Sequence, residues 1–403
     1  MQSIRHGPDL TIDRSIHPSI VALLGSRSLF GAERANIDLL RMMKDSGARV
    51  ICLVRDEDWP ENLELRRFLD NHGLECRVCP FGSYPTWRYW RYWPHVALEN
   101  LRAFTVGNHR LKQICLEVEA THIHSFNPFL TLSFWRALNT MDVPLIYRCG
   151  EAPVAHNAFY RAIWRWLCRR VSHVGTESNY LISLLVEQGF NLKQISLTRT
   201  PPPARTIVSA FSNPSGSERS IGIRFVYVGQ IAIFKGVSVL LDAMELVRAQ
   251  FHDATLLLAG SLDSHEAKSL QAKAERQFEV GAVSFLGAVE DVPGVLRICD
   301  AHIAPSLKPE GYGLVAVEAK QAGLPSIVFA GGGLSELIED GVDGIVVQNR
   351  SSEDLANAML AYCRKPERGR IDGTRARASL TERLQTDQYA QRWRAIYKET
   401  MPR

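Results

Sequence analysis

Short apolar runs that stop at a glycine or proline alternate, along most of this chain, with longer stretches whose apolar residues recur every three or four positions. Pro18 to Leu24 is the first such run, and Gly25 closes it. A helical stretch follows, with Ile37, Leu39, Leu40, Met42 and Met43 on its apolar side and a break at Gly47; Arg49 to Val54 then forms the next run. Strand, helix, strand in that order predicts a βαβ unit and hence a parallel sheet. Thr121 to Pro128 and Pro144 to Glu151 close two further strands. The rhythm starts afresh at Arg224 to Gly229 and continues through strands at Thr255 to Leu258, Val283 to Leu286, Ala301 to Pro305 and Ser326 to Phe329. Between the two series, residues 201–220 are rich in Pro and Ser and have no apolar period, the mark of a linker. The pattern predicts two doubly wound, Rossmann-like α/β domains with parallel sheets, residues 1–205 and 206–385. A final helix with Tyr389, Trp393 and Tyr397 spaced four apart falls in residues 386–403.

Ligands of such sheets bind where strands end and helices begin. In the first half this singles out Ser26 to Arg34, and in the second the segment from Ala304 to Leu314. Glu310 lies before the helix that follows, and Glu318 lies inside it. The turn can aim the backbone N–H groups of Gly311, Tyr312, Gly313 and Leu314 at one point, where the helix dipole adds positive potential and favours an anion such as a diphosphate. Carboxylates repel phosphate but accept paired hydrogen bonds from neighbouring hydroxyls, so the two acids suit the sugars on either side of a diphosphate. Lys235, at a helix start five residues after Gln230, suits the same diphosphate as a point charge.

Glu310, Gly311, Gly313, Glu318, Ala322, Gly323 and Pro325, followed by Gly331-Gly332-Gly333-Leu334-Ser335-Glu336-Leu337-Ile338 and Gly341-Val342-Asp343-Gly344, resemble the donor-site signature of the family 4 retaining glycosyltransferases. The resemblance implies a GT-B architecture: a first domain for the acceptor, a second for a nucleotide sugar, a cleft between them and a last helix crossing back to the first. It implies that Glu310 contacts the donor sugar, Glu318 the ribose hydroxyls and Gly311 to Leu314 the phosphates, with Gly229, Gln230, Lys235 and Gly260 completing the donor site. Glu310, Lys235, Glu151 and His124 become the catalytic candidates; Gly31, Glu33, Arg34 and His156 become the acceptor or phosphate side. Three departures stand out. The family's Gly-Arg reads Gly229-Gln230, the first Gly of its Gly-Gly-Ala-Glu-Arg element is Phe30, and the strand end that delivers a His there holds Cys149-Gly150-Glu151. The implied reaction moves a hexose from a nucleoside diphosphate sugar to an acceptor hydroxyl with retention, without metal or cofactor, in cell-surface polysaccharide or glycolipid synthesis. A non-catalytic nucleotide-sugar binder and a nucleotide-sugar epimerase are the alternatives on the same fold.

Composition narrows the partners. Residues 1–205 carry 25 Lys and Arg against 19 Asp and Glu, a net of +6, whereas the remainder is slightly acidic. The basic half suits an anionic acceptor or lipid surface. Tyr84 to Pro94 packs six aromatics and two arginines, a mixture found at membrane surfaces, in packed cores and on nucleic-acid bases. A glycan or lipid-linked acceptor and peripheral contact with an anionic membrane are expected, and nucleic acid is not. Asp56-Glu57-Asp58 has the spacing of a metal-holding pair but sits beside Trp59-Pro60 in a surface turn, so no metal is expected. The eight cysteines lie mostly in apolar runs, as reduced buried thiols do. Met1 to Asp13 lacks the apolar core of a signal peptide, and no stretch reaches the roughly 18 apolar residues of a spanning helix, so a cytoplasmic protein at the inner membrane face is expected.

Overall fold

In the computed structural model, which describes residues 17–26, 31–56, 60–83, 93–153, 157–203, 222–383 and 386–402, the chain forms two wholly parallel sheets. The first contains β1 (Ser19–Leu23), β2 (Arg49–Arg55), β3 (Glu75–Cys79), β4 (His122–Ser125), β5 (Leu145–Cys149), β6 (Val171–Thr176) and β7 (Ile195–Leu197), in the spatial order β3-β2-β1-β4-β5-β6-β7. The second contains β8 (Arg224–Val228), β9 (Thr255–Ala259), β10 (Val283–Gly287), β11 (Ala301–Ala304), β12 (Ser326–Phe329) and β13 (Gly344–Val347), ordered β10-β9-β8-β11-β12-β13. Winding reverses between β1 and β4 and again between β8 and β11, and crevices for ligands open beyond the strand ends at such reversals.

Central strands are buried because helices cover both faces, as in β1 and β4, where every residue is buried. On one face of the first sheet the helices Gly31–Asp45 and Pro60–Asn71 bury Ile37, Leu40 and Leu69. The helix Thr386–Glu399 returns from the far end of the chain to the same core and adds Tyr389, Trp393, Ile396 and Tyr397. Its docking explains Gly175 in β6: a Cβ there would lie 2.3 Å from the Trp393 ring, so only glycine lets the indole close onto the strand. The opposite face is covered by Asn108–Glu117, Trp135–Leu138, Ala158–Arg170 and Asn179–Glu187 through Leu111, Leu138, Trp164, Leu167 and Leu185.

This packing corrects one sequence-based expectation. His124 is fully buried, its Nδ1 bonded to the Tyr397 hydroxyl and its ring stacked on Phe126 at 4.4 Å, so it is sealed from the cleft. Alternation along β4 puts His122 and His124 on the face that the last helix covers, and His122 Nε2 meets the Thr400 hydroxyl at 3.1 Å. Burial lowers His122 to about 4 and holds His124 well below its ordinary value. Below about pH 6.5 the unfolded chain takes up protons that these folded imidazoles refuse, so their contribution is present above that pH and lost as it falls towards 4. His122 alone accounts for on the order of 3 kcal/mol across that window. The melting temperature is therefore expected to drop from pH 6.5 to 4.5, and His122→Gln to flatten the profile; identical profiles would contradict this account.

Candidate functional site

The loop after β11 leads into the helix Leu314–Ala322, and its backbone shape depends on glycine. Gly313 caps that helix at φ +105°, and a Cβ there would lie 2.3 Å from Leu334 Cδ1. Ala316 N is bonded to the Gly313 carbonyl at 2.9 Å, while Leu314 and Val315, ahead of it, carry the positive end of the dipole. Upstream, Glu310 pairs as an isolated bridge with Gly332, and Gly333 N donates to the Glu310 carbonyl at 2.7 Å.

The Glu310 side chain meets the other charged arm of the site. Its Oε1 accepts from Lys235 Nζ at 2.9 Å and from the Ser306 hydroxyl. Lys235 ends the one-turn helix Ile233–Lys235, and Leu307 N, bonded to the Phe234 carbonyl at 3.0 Å, ties that turn to the Glu310 loop. Both side chains border a cavity of about 620 Å³ between the domains, within the size range of ligand pockets. Its first-domain wall includes Gly31, Arg148, Glu151 and Glu177. Gly311, Tyr312, Gly313 and Leu314 line the second-domain wall.

The domains clasp this loop from both sides. Ser178 Oγ donates to the Gly311 carbonyl at 2.6 Å, and the Tyr312 hydroxyl donates to the Thr200 carbonyl at 2.7 Å. Glu336 reaches across and accepts from Asn179 N at 2.9 Å and Tyr180 N at 2.7 Å, placing a carboxylate on the N-terminus of Asn179–Glu187.

Several site candidates lie elsewhere. Arg34 stacks over the Phe68 ring at 5.6 Å and, with Gly31, Thr200 and Leu314, borders a small side cavity of about 60 Å³ rather than the main one. Glu33 accepts from Ser26 Oγ at 3.0 Å and lines a neighbouring cavity of about 150 Å³ that shares Arg148 and Glu151 with the main one. Gly229, Gln230 and Gly260 stand at the ends of β8 and β9, outside the cavity lining; the Gln230 carbonyl accepts from Tyr227 at 2.7 Å. Glu318 is buried one turn into its helix, below the lining. His156, Phe30, Glu57, Asp58 and most of the aromatic run at Tyr84 to Pro94 fall outside the described residues, while Asp56 pairs with Arg102 at 2.8 Å.

One group of residues went unnoticed in the sequence. Arg148, buried at the end of β5, bonds Asn36 and Glu177, and its second terminal nitrogen also meets Thr200 Oγ1 at 3.0 Å. Glu177 accepts from Thr200 as well, and the group forms part of the cavity floor. An arginine inside the apolar run Leu145-Ile146-Tyr147-Arg148-Cys149 was the available signal, since an isolated buried charge is rare without a partner. Its neighbour Cys149 is no nucleophile: burial, foremost among the influences on it, pushes the thiol up to about 12.

Residues 222–365 match the family model described as glycosyl transferases group 1, which covers most of the second domain. Among curated proteins the chain is 34% identical over 132 residues to a phosphatidyl-myo-inositol mannosyltransferase of Mycobacterium leprae, covering 32% of this chain and 34% of that one. It is 28% identical over 198 residues to a D-inositol 3-phosphate glycosyltransferase of Paenarthrobacter aurescens, covering 47% and 48%. The chain thus spans between a third and a half of the length of these relatives. Among solved structures, Anabaena Alr3699/HepE in complex with UDP and glucose superposes with a TM-score of 0.75 at 20% identity, covering 94% of this chain and 99% of that one. The sucrose-phosphate synthase of Thermosynechococcus elongatus gives 0.74 at 17% identity, covering 94% and 98%. These likenesses show the fold, two facing parallel-sheet domains of the GT-B architecture.

Proposed function

We propose, from a second domain of the group 1 glycosyl transferase kind set in a GT-B frame, that this protein transfers a hexose from a nucleoside diphosphate sugar to an acceptor hydroxyl with retention of anomeric configuration. The observation that carries the reading is the Lys235–Glu310 pair beside the open amides of Gly313 and Leu314 in one interdomain cavity. A diphosphate bound to those amides competes with Glu310 for Lys235, and the carboxylate so released accepts from sugar hydroxyls. As the glycosidic bond breaks, charge grows on the leaving diphosphate, where Lys235 and the helix start stabilise it most. Glu151, on the opposite wall of the cavity, is the residue we assign to positioning the acceptor hydroxyl. Of the other carboxylates in the cavity, Glu177 is engaged by Arg148 and Thr200 and Glu151 lies on the opposite wall, so same-face attack assisted by the leaving phosphate is the proposed route to retention. The solved complexes of Alr3699/HepE contain UDP or UDP-glucose, which makes uridine diphosphate sugars the first donors to try. A lipid-linked or surface glycan is the proposed acceptor class.

The ending Cys149-Gly150-Glu151 favours a second reading, a nucleotide-sugar binder without turnover. Incubation with radiolabelled nucleotide sugars and a panel of glycan acceptors separates the two. The enzyme yields a glycoside whose anomeric proton coupling in NMR matches that of the donor. An inverted product would contradict retention, an epimerised nucleotide sugar would contradict transfer, and tight donor binding without any released nucleotide across the panel would leave the binder.

A further inference from the structure

We propose, resting on the donor-site reading of Glu310 to Leu314, that Glu336 is a positioning residue: from outside the cavity lining it seats that loop on the first-domain helix Asn179–Glu187, so that nucleotide binding and this contact support each other. The two domains meet here backbone against backbone. A Cβ on Gly311 would lie 2.6 Å from the Gly150 carbonyl, and one on Gly333 would lie 2.5 Å from Ser178 Oγ, so glycine at both positions lets the second domain close onto the first. Ser178 Oγ accepts from Leu181 N at 3.1 Å, which caps the helix, and donates to the Gly311 carbonyl. A trans peptide points its N–H opposite its C=O, so a Gly311 carbonyl held on Ser178 fixes the direction of the Tyr312 N–H, one of the loop amides offered to an anion. The Tyr312 side chain is anchored through its hydroxyl on Thr200, the residue that also meets Arg148 and Glu177. The anion loop thus takes its shape from the first domain as well as from the second.

Glu336 strengthens the contact. One of its carboxylate oxygens accepts from Asn179 N at 2.9 Å and Asn179 Nδ2 at 3.0 Å, and the other accepts from Tyr180 N at 2.7 Å. Those amides lead the helix and have no acceptor within it, so a carboxylate from across the domain gap satisfies both at the positive end of the dipole. The support of Glu336 leads back to the donor loop. It belongs to the single turn Ser335–Leu337; Ser335 Oγ donates to the Gly332 carbonyl at 2.9 Å, Gly332 bridges to Glu310, and Gly333 N donates to the Glu310 carbonyl. A displacement of Glu336 therefore reaches Glu310, the partner of Lys235, through a short run of bonds. An anion that favours the bonded loop favours the contact, and by linkage the contact tightens the anion by the same factor.

The test joins calorimetric titration of the full chain with UDP, GDP, ADP, CDP and TDP to hydrogen exchange over the helix Asn179–Glu187, read by mass spectrometry. Glu336→Ala is expected to bind the preferred nucleotide about tenfold more weakly than wild type, within the range that such couplings span, and Glu336→Gln, which keeps an acceptor oxygen, to recover part of the loss. In wild type the saturating nucleotide slows exchange of the leading amides by the same factor, and in Glu336→Ala it leaves them nearly unchanged. Unchanged affinity in Glu336→Ala, or wild-type exchange at this helix that ignores a bound nucleotide, would overturn the proposal and leave the donor site standing; a lowered melting temperature alongside either result would mark Glu336 as a packing residue only. Binding of no nucleotide to wild type would overturn the donor site itself, and the coupling with it.

Discussion

Lys235→Ala is expected to lower kcat by about two to three orders of magnitude, the usual loss when one preorganised charge is removed from a developing oxyanion. The lysine is three-quarters buried and held on Glu310, whereas Lys308, which also lines the cavity, is exposed and is not held there. Its charge matters more after bond cleavage begins than before, so kcat should fall further than donor affinity. Lys235→Arg keeps the charge but changes its geometry and recovers part of the rate. Steady-state kinetics on the productive donor check this: an alanine variant within threefold of wild type would remove Lys235 from the machinery.

Arg148→Met is the second large effect, and it acts on stability. It leaves Glu177 buried with a single hydroxyl partner in Thr200, and removal of one member of a buried ion pair costs about 3–5 kcal/mol. For a domain of this size that lowers the melting temperature by on the order of 10 °C. Replacing both partners, as Arg148→Met with Glu177→Leu, removes the stranded charge and should regain most of the loss. Urea unfolding of the single and double variants decides the matter; a double variant as unstable as the single would show that the arginine's packing, not its charge, is what the fold needs.

Much of the architecture was legible because its causes are local. An apolar run ended by Gly25, a helix period through Ile37 and Leu40, and a fresh run at Arg49 each follow from neighbouring residues, and together they imply a parallel sheet. The Glu310 to Leu314 loop was legible for the same reason, since its glycines, its acid and the helix after it are contiguous. The misplaced and missed residues depend on distant segments. His124 looked like a cleft residue because β4 ends beside it, yet what covers it is Tyr397, supplied 273 positions later. Arg148 finds Asn36 112 positions earlier and Thr200 52 positions later, a convergence with no local period. Glu336 belonged to the quoted motif, but its acceptance of Asn179 N, 157 positions away, could be seen only once the domains met. Arg34 stood in a recognisable element, but its contact with Phe68, 34 positions later, could be seen only in the fold.

In the proposed assignment the cleft holds a nucleoside diphosphate sugar between Lys235, Glu310 and the amides of Gly313 and Leu314. A thermal-shift screen of UDP, GDP, ADP, CDP and TDP sugars on wild type and Lys235→Ala tests it most directly, because a ligand at a hundred times its Kd stabilises the native state by about 2.7 kcal/mol. One nucleotide class should raise the wild-type melting temperature and raise that of the variant much less. No shift with any nucleotide sugar, or the same shift in both proteins, would contradict the assignment of this cleft as the donor site.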